Sequence, residues 1–120
     1  EGQTKQAIWG AWAVLPRFAK FTVVVDDDID VRDSFAVDWA MSFRVQPARD
    51  IFIEPNTLSV PLDPSVPITG PVSDERRALG SKIGIDATRK HDFPPIAFPP
   101  KEHVLEVEKR WREYGLHRIS

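Results

Sequence analysis

KFTVVVDDDIDVRDSFAVDWAMSFR, residues 20–44, decides the fold. Phe21 to Val25 is an unbroken apolar run rich in β-branched residues and bounded by turn formers. Such a run reads as a strand covered on both faces, the kind found in parallel sheets packed between helices. It breaks into Asp26, Asp27, Asp28, Asp30 and Asp33, a density of short acids that predicts a tight turn. Asp33 is then expected to be an N-cap, its carboxylate accepting from orphan amides at the start of a helix. Ala36, Trp39, Ala40 and Phe43 follow at i, i+3, i+4 and i+7, so one stripe of that helix is expected to face the sheet.

Toward the N-terminus, Ile8, Ala11, Trp12 and Leu15 form a second helical stripe, which Pro16 ends because proline disfavours the α conformation in the residue before it. The first helix is expected from about Gln3 to Leu15. Toward the C-terminus, Pro47 and Asp50 mark a turn into a short strand at residues 51–54, IFIE. Strand, crossover helix and strand predict a right-handed parallel unit. Pro55 to Gly80 shows no sustained period and reads as a long irregular loop, of the size that is usually functional or disordered. Residues 81–88, SKIGIDAT, read as a third strand or extended edge. After the proline-rich HDFPPIAFPP of residues 91–100, a last helix is expected from about Lys101 to Tyr114. Val104, Val107, Trp111 and Tyr114 share its stripe, and Gly115 stands at C′. The fold class is therefore α/β: a small, mainly parallel sheet flanked by helices, three-layered and Rossmann-like, with long irregular Pro-rich loops and a C-terminal helix. A single domain over residues 1–120 is expected, with the core and loops in 1–100 and the helix in 101–115.

The 120 residues suffice for one core and not for two. A net charge of −2 with no block of Lys and Arg argues against nucleic acid or an anionic membrane as partner. No apolar stretch approaches the roughly 20 residues that span a bilayer, and no signal peptide opens the chain, so a cytoplasmic location is expected. The absence of cysteine removes disulfides, thiolate zinc sites and thiol catalysis together. An opening at Glu1 instead of Met suggests a processed product or a piece of something longer.

Three features are candidates for chemistry. Carboxylates at the C-terminal end of a parallel strand, here Asp26 to Asp33, are placed to hold Mg²⁺; the plainer reading is a solvated turn that caps the helix and pairs with Arg32 or Arg44. His91, His103 and His117 stand apart without metal-ligand spacing and read as surface residues. Lys82 follows Ser81 between Gly80 and Gly84, where glycines let backbone come close to a ligand and an ammonium can face a phosphate; against this stands a surface lysine at a strand edge. No G-x-S-x-G, P-loop or G-x-G-x-x-G is present.

The ordered blocks VVVDDDIDVRD, VDWAMSFR, QPARD, Asn56-Thr57, LDPS and SKIGIDAT closely resemble the C-terminal domain of the UbiD family of decarboxylases, across residues 2 to about 90. The resemblance implies reversible non-oxidative decarboxylation of an aromatic or α,β-unsaturated acid by a lyase that uses prenylated flavin mononucleotide. It also implies Mn²⁺ or Mg²⁺, often with K⁺, and a glutamic acid that returns the proton. In the family, cofactor, metal and catalytic residues belong to a larger N-terminal and middle region. The chain is thus expected to hold no catalytic and no metal-ligating residue, and to work with that region or subunit in a homo- or hetero-oligomer. Lys82 matches the family's lysine near the flavin phosphate, and Ile85 and Thr88 are expected beside the substrate space. The acidic block is a structural turn in the family, and the terminal helix helps subunits associate. The rival from another class is a non-catalytic α/β scaffold or regulatory module, against which the Lys82 block speaks.

Overall fold

The computed structural model describes residues 2–71, 78–95 and 97–115. Helix α1, Gly2–Val14, leads into strand β1, Phe21–Val24. Helix α2, Ser34–Arg44, follows with a short helical turn α3, Pro47–Asp50, strand β2, Ile51–Leu58, strand β3, Leu79–Asp86, and helix α4, Lys101–Lys109. The expected elements are therefore present in the expected order. The Asp33 carboxylate caps α2 as its position predicts, accepting from the amides of Phe35 at 3.0 Å and Ala36 at 3.4 Å.

The three strands form one sheet in the order β1-β3-β2. β1 runs parallel to β3, in register from Phe21 opposite Ile83 to Val24 opposite Asp86. β2 runs antiparallel to β3, with Ile51 opposite Ile85 and Ile53 opposite Ile83. The α/β class holds, but the parallel unit expected from β1, α2 and β2 does not form and the sheet is mixed. The cause lies at the end of α2, where Arg44 bonds Asp28 and Asp26 just beyond β1. The helix thus delivers the chain to the end of the sheet that β1 has just left. A strand that starts there must run back, antiparallel to β1.

β2 is also longer than residues 51–54, passing through Pro55 to Leu58. Proline is tolerated because β2 is an edge strand, and its register with β3 shifts between Glu54 and Thr57. Asn56 takes a left-handed φ of 56° inside this irregularity. The loop expected from Pro55 to Gly80 is correspondingly shorter.

α1 covers one face of the sheet. Ile8 is fully buried, and Trp12 is almost so, its indole Nε1 donating to Thr22 Oγ1 at 3.0 Å while its ring meets Phe52 edge-on at 5.7 Å. Gly84 makes this approach possible, since a Cβ there would stand 2.6 Å from the Phe52 ring and 3.0 Å from Ile8. The helical stripe of α2 is only partly realised: Ala40 is buried, whereas Phe43 is exposed and stacks on Trp39 at 5.4 Å instead of on the sheet. α4 ends at Lys109, short of Tyr114, and turns carry the chain to Gly115, whose φ is +68°.

Candidate functional site

Ligands of α/β sheets gather at the C-terminal ends of parallel strands. Here that edge is the exit of β1, at Asp26 to Asp28, and the exit of β3, at Asp86 to Lys90. Two ionic clusters occupy it. In the first, the buried guanidinium of Arg44 donates to both oxygens of Asp28, at 2.9 Å from Nη1 and 2.6 Å from Nη2. Nη1 also reaches Asp26 at 3.5 Å. Arg89 joins from the other strand, its amide donating to Asp26 at 2.7 Å and its Nη2 to Asp28. Arg44 holds the Asp28 carboxyl down to about 2 against the opposing pull of burial, with Arg89 adding to the effect. The same hydrogen bond to Asp28 pushes Arg44 upward. Arg44 Nε is buried and has no hydrogen-bond partner among the described residues.

The second cluster surrounds Asp50, which is buried at the entry to β2. It accepts from Arg49 Nε at 2.7 Å and from the Gln46 amide at 2.7 Å. Arg49 is the main reason its pKa falls to about 2, with Gln46 and the nearby Lys90 contributing. Lys90 lies 3.7 Å from Asp50 and 3.0 Å from Asp86. Asp86 in turn accepts from the amide and hydroxyl of Thr88 at 3.0 and 2.6 Å.

These clusters tie the exits of β1, α2 and β3 together. A carboxyl with a pKa near 2 stays ionised at neutral pH and has no proton to give. The acidic block therefore acts as the capped, arginine-paired turn that its composition suggests. Among the described residues no three His, Asp or Glu side chains converge as a metal-ligating group. Beside the first cluster lies an open cleft of about 340 Å³ between Trp39, Arg44, Arg89, His91 and Phe93. Trp39 stacks under Arg44 at 5.3 Å, and His91 against Phe93 at 4.6 Å.

The residues expected near cofactor and substrate are not brought together. Lys82 is buried, with its ammonium donating to the carbonyl of Phe18 and, at 3.4 Å, to that of Leu15. Both carbonyls belong to the turn that closes α1, where a cation is favoured. Burial lowers the lysine's pKa. The room left by the flanking glycines is filled from within the chain, by Phe52 and Ile8 at Gly84 and by Val66 and Ser59 at Gly80. Ile85 alternates with Gly84 and so points to the opposite face of the sheet, and Thr88 is turned onto Asp86. His91 borders the cleft and His103 lies on α4, while His117 falls outside the described residues. Arg89 and Lys90 carry much of the ionic edge without having been singled out, and Asp50 stood out only as a turn former. Their signal in the sequence is faint: Arg89 and Lys90 directly follow SKIGIDAT, whereas nothing local marks Asp50 as buried.

The family model of the 3-octaprenyl-4-hydroxybenzoate carboxy-lyase C-terminal domain matches residues 1–87, which contain the whole sheet and both ionic clusters up to Ala87. The chain belongs to the UbiD family. An uncharacterized protein of Synechocystis sp. is 38% identical over 99% of this chain and 24% of its own length. Among solved structures, the UbiD-class enzyme HmfF from Pelotomaculum thermopropionicum, in complex with FMN, aligns with a TM-score of 0.65 at 33% identity. The alignment covers 86% of this chain and 22% of HmfF. The 3,4-dihydroxybenzoic acid decarboxylase AroY of Klebsiella pneumoniae aligns with a TM-score of 0.65 at 27% identity, over 88% of this chain and 23% of AroY. The chain thus spans about a quarter of the length of these relatives.

Proposed function

We propose that this chain is the C-terminal component of a UbiD-class carboxy-lyase that removes CO₂ reversibly, without oxidation, from an aromatic or α,β-unsaturated acid. The observation that carries the proposal is the family match over residues 1–87 on a fold shared with HmfF at 33% identity. The cofactor proposed for the whole enzyme is prenylated FMN, with Mn²⁺ or Mg²⁺ and K⁺. When bound, the flavin supplies the ring system on which the carboxyl carbon is released. Cofactor and metals are assigned to the larger region or subunit with which this component assembles in a homo- or hetero-oligomer. A cytoplasmic location fits such an enzyme, and no helix among the described residues is long and apolar enough to cross a membrane. Residues 1–120 are proposed to act as one unit, with a core and loops in 1–100 and the terminal helix in 101–115.

This chain's own contribution is architectural. Its two clusters hold the strand exits together in one ionic edge. Proton transfer needs an acid within hydrogen-bond reach that can change charge near neutral pH, and Asp28 and Asp50 are both held ionised.

Lys82 as folded does not fit a phosphate ligand, because its ammonium is buried on two carbonyls. A contact from Lys82 to the flavin phosphate would require the turn after α1 to release it, and Ile85 and Thr88 remain proposals for the substrate side on the same footing. Lys82 consequently no longer separates an enzyme component from a scaffold. Turnover does. The isolated 120-residue chain supplied with prenylated FMN should show no decarboxylation, whereas the complete enzyme carrying it should copurify with flavin absorbance and release CO₂ from an aryl or acrylic acid. A complete enzyme without flavin or turnover would refute the proposal.

A further inference from the structure

The strand register sorts the side chains of the sheet into two faces. Thr22, Gly84 and Phe52 occupy the face that α1 covers, as the bonds from Trp12 and the approach of Ile8 show. Their sequence neighbours point the other way. Phe21 and Val23 of β1 stand opposite Ile83 and Ile85 of β3, which stand opposite Ile53 and Ile51 of β2. These six residues make one contiguous apolar face with no charged member. At its two edges Phe21 is 70% exposed and Ile53 is 64% exposed. The helices supply little cover: α2 turns Phe35 and Phe43 to solvent, and α4 has no buried residue.

We infer that this second face of the sheet is the surface on which the larger, cofactor-carrying part of the UbiD-class enzyme docks. The inference rests on the proposed function and adds to it which surface is covered and by what. A sheet face left to water carries polar side chains in alternation with the buried ones, whereas this reverse face is apolar at Phe21, Val23, Ile51, Ile53, Ile83 and Ile85. A domain closes its core by stacking at least two layers, yet among the described residues this side leaves Phe21 and Ile53 exposed and Val23, Ile51, Ile83 and Ile85 only part-buried. The chain matches 24% of the Synechocystis protein and 22% of HmfF, and the cover is assigned to a counterpart of the remainder. The docking surface must itself be apolar and free of charge at its centre, because Ile83 and Ile85 in the middle strand offer nothing to pair with a buried ion.

Single cysteines answer the question, and this chain has none of its own to interfere. In the complete enzyme that carries these residues, Ile53→Cys and, separately, Phe21→Cys are treated with a maleimide before and after denaturation, and labelling of each peptide is read by mass spectrometry. Both substitutions fall at exposed positions, and circular dichroism confirms that each variant is folded. Native labelling is expected to be at least 100-fold slower than labelling of the unfolded enzyme at both positions, independent of enzyme concentration. Native rates within about tenfold of the unfolded rates would overturn the inference. So would protection that disappears on dilution in step with the loss of dimer mass, which would make a second copy the cover. Turnover measured on the same preparations separates the two proposals. Active enzyme with freely reactive cysteines refutes the docking face alone, and protected cysteines without turnover sustain the face and refute the decarboxylase reading.

Discussion

At Lys82 a charged side chain has been drawn under the sheet to serve a turn. Replacing it with Met keeps the stem and removes the donor, leaving the Phe18 carbonyl without that partner, whereas the Leu15 carbonyl keeps the Phe18 amide. An unsatisfied buried acceptor costs about 1–3 kcal/mol, so Lys82→Met should lower the urea-unfolding free energy of the chain by that amount. A surface lysine would give no change. If the residue also holds the flavin phosphate, the assembled variant should lose flavin on dialysis even where its fold is intact, and retained flavin would leave Lys82 with the turn alone. Gly84 makes a second case, because any side chain there meets Phe52 and Ile8 within van der Waals distance. Overpacking of a tight core costs about 1–3 kcal/mol, and Gly84→Ala should show a loss of that order in the same measurement. Within the acidic block the neighbours should behave differently. Both Asp27 and Asp28 are exposed, but Asp28 binds two arginines, so Asp28→Asn should destabilise clearly and Asp27→Asn should leave the unfolding midpoint nearly in place.

The elements are joined at the ionic edge, and that joint is sensitive to acid. Asp28 and Asp50 each have a folded-state pKa of about 2, below the ordinary aspartate value of 3.8. The unfolded chain binds more protons between those values, so the stabilisation is complete above about pH 4 and fades as pH falls toward 2. For the buried Asp50 it amounts to about 2 kcal/mol; for Asp28, a third exposed, solvent screening makes it smaller. Thermal melts from pH 7 down to pH 2 should hold steady to about pH 4 and then decline. In Asp50→Asn the decline should be shallower and start from a lower plateau. α2 depends on the same joint at one end and on its cap at the other, and Asp33→Ala should cost about 0.5–2 kcal/mol. Local pattern made these elements legible: β-branched residues before the acids, helical spacing after them, and a short acid at the boundary. The direction of β2 was not legible, because it depends on which end of the sheet α2 returns to, and Arg44 sets that through a bond to residues sixteen positions earlier.

On the scale of the whole molecule, the chain matches about a quarter of the length of its relatives. α4 and the turns after it carry Val104, Val107, Trp111 and Tyr114 on a surface that the sheet does not bury. A chain ending after Pro100 should accordingly melt within about 2 °C of the intact chain, since no core contact is lost; a large drop would show that α4 stabilises the sheet directly. The order of elements, the Asp33 cap, the acidic turn and the family were all present in the sequence, because each depends on residues close together or on motif order. The mixed sheet, the burial of Lys82 under α1 and the separation of Ile85 from it depended on tertiary structure. A side chain's face is set by strand register, and its partner by which distant backbone the register brings near. Sequence spacing put Lys82 and Ile85 three residues apart; the two-residue period of the strand put them on opposite sides of the sheet.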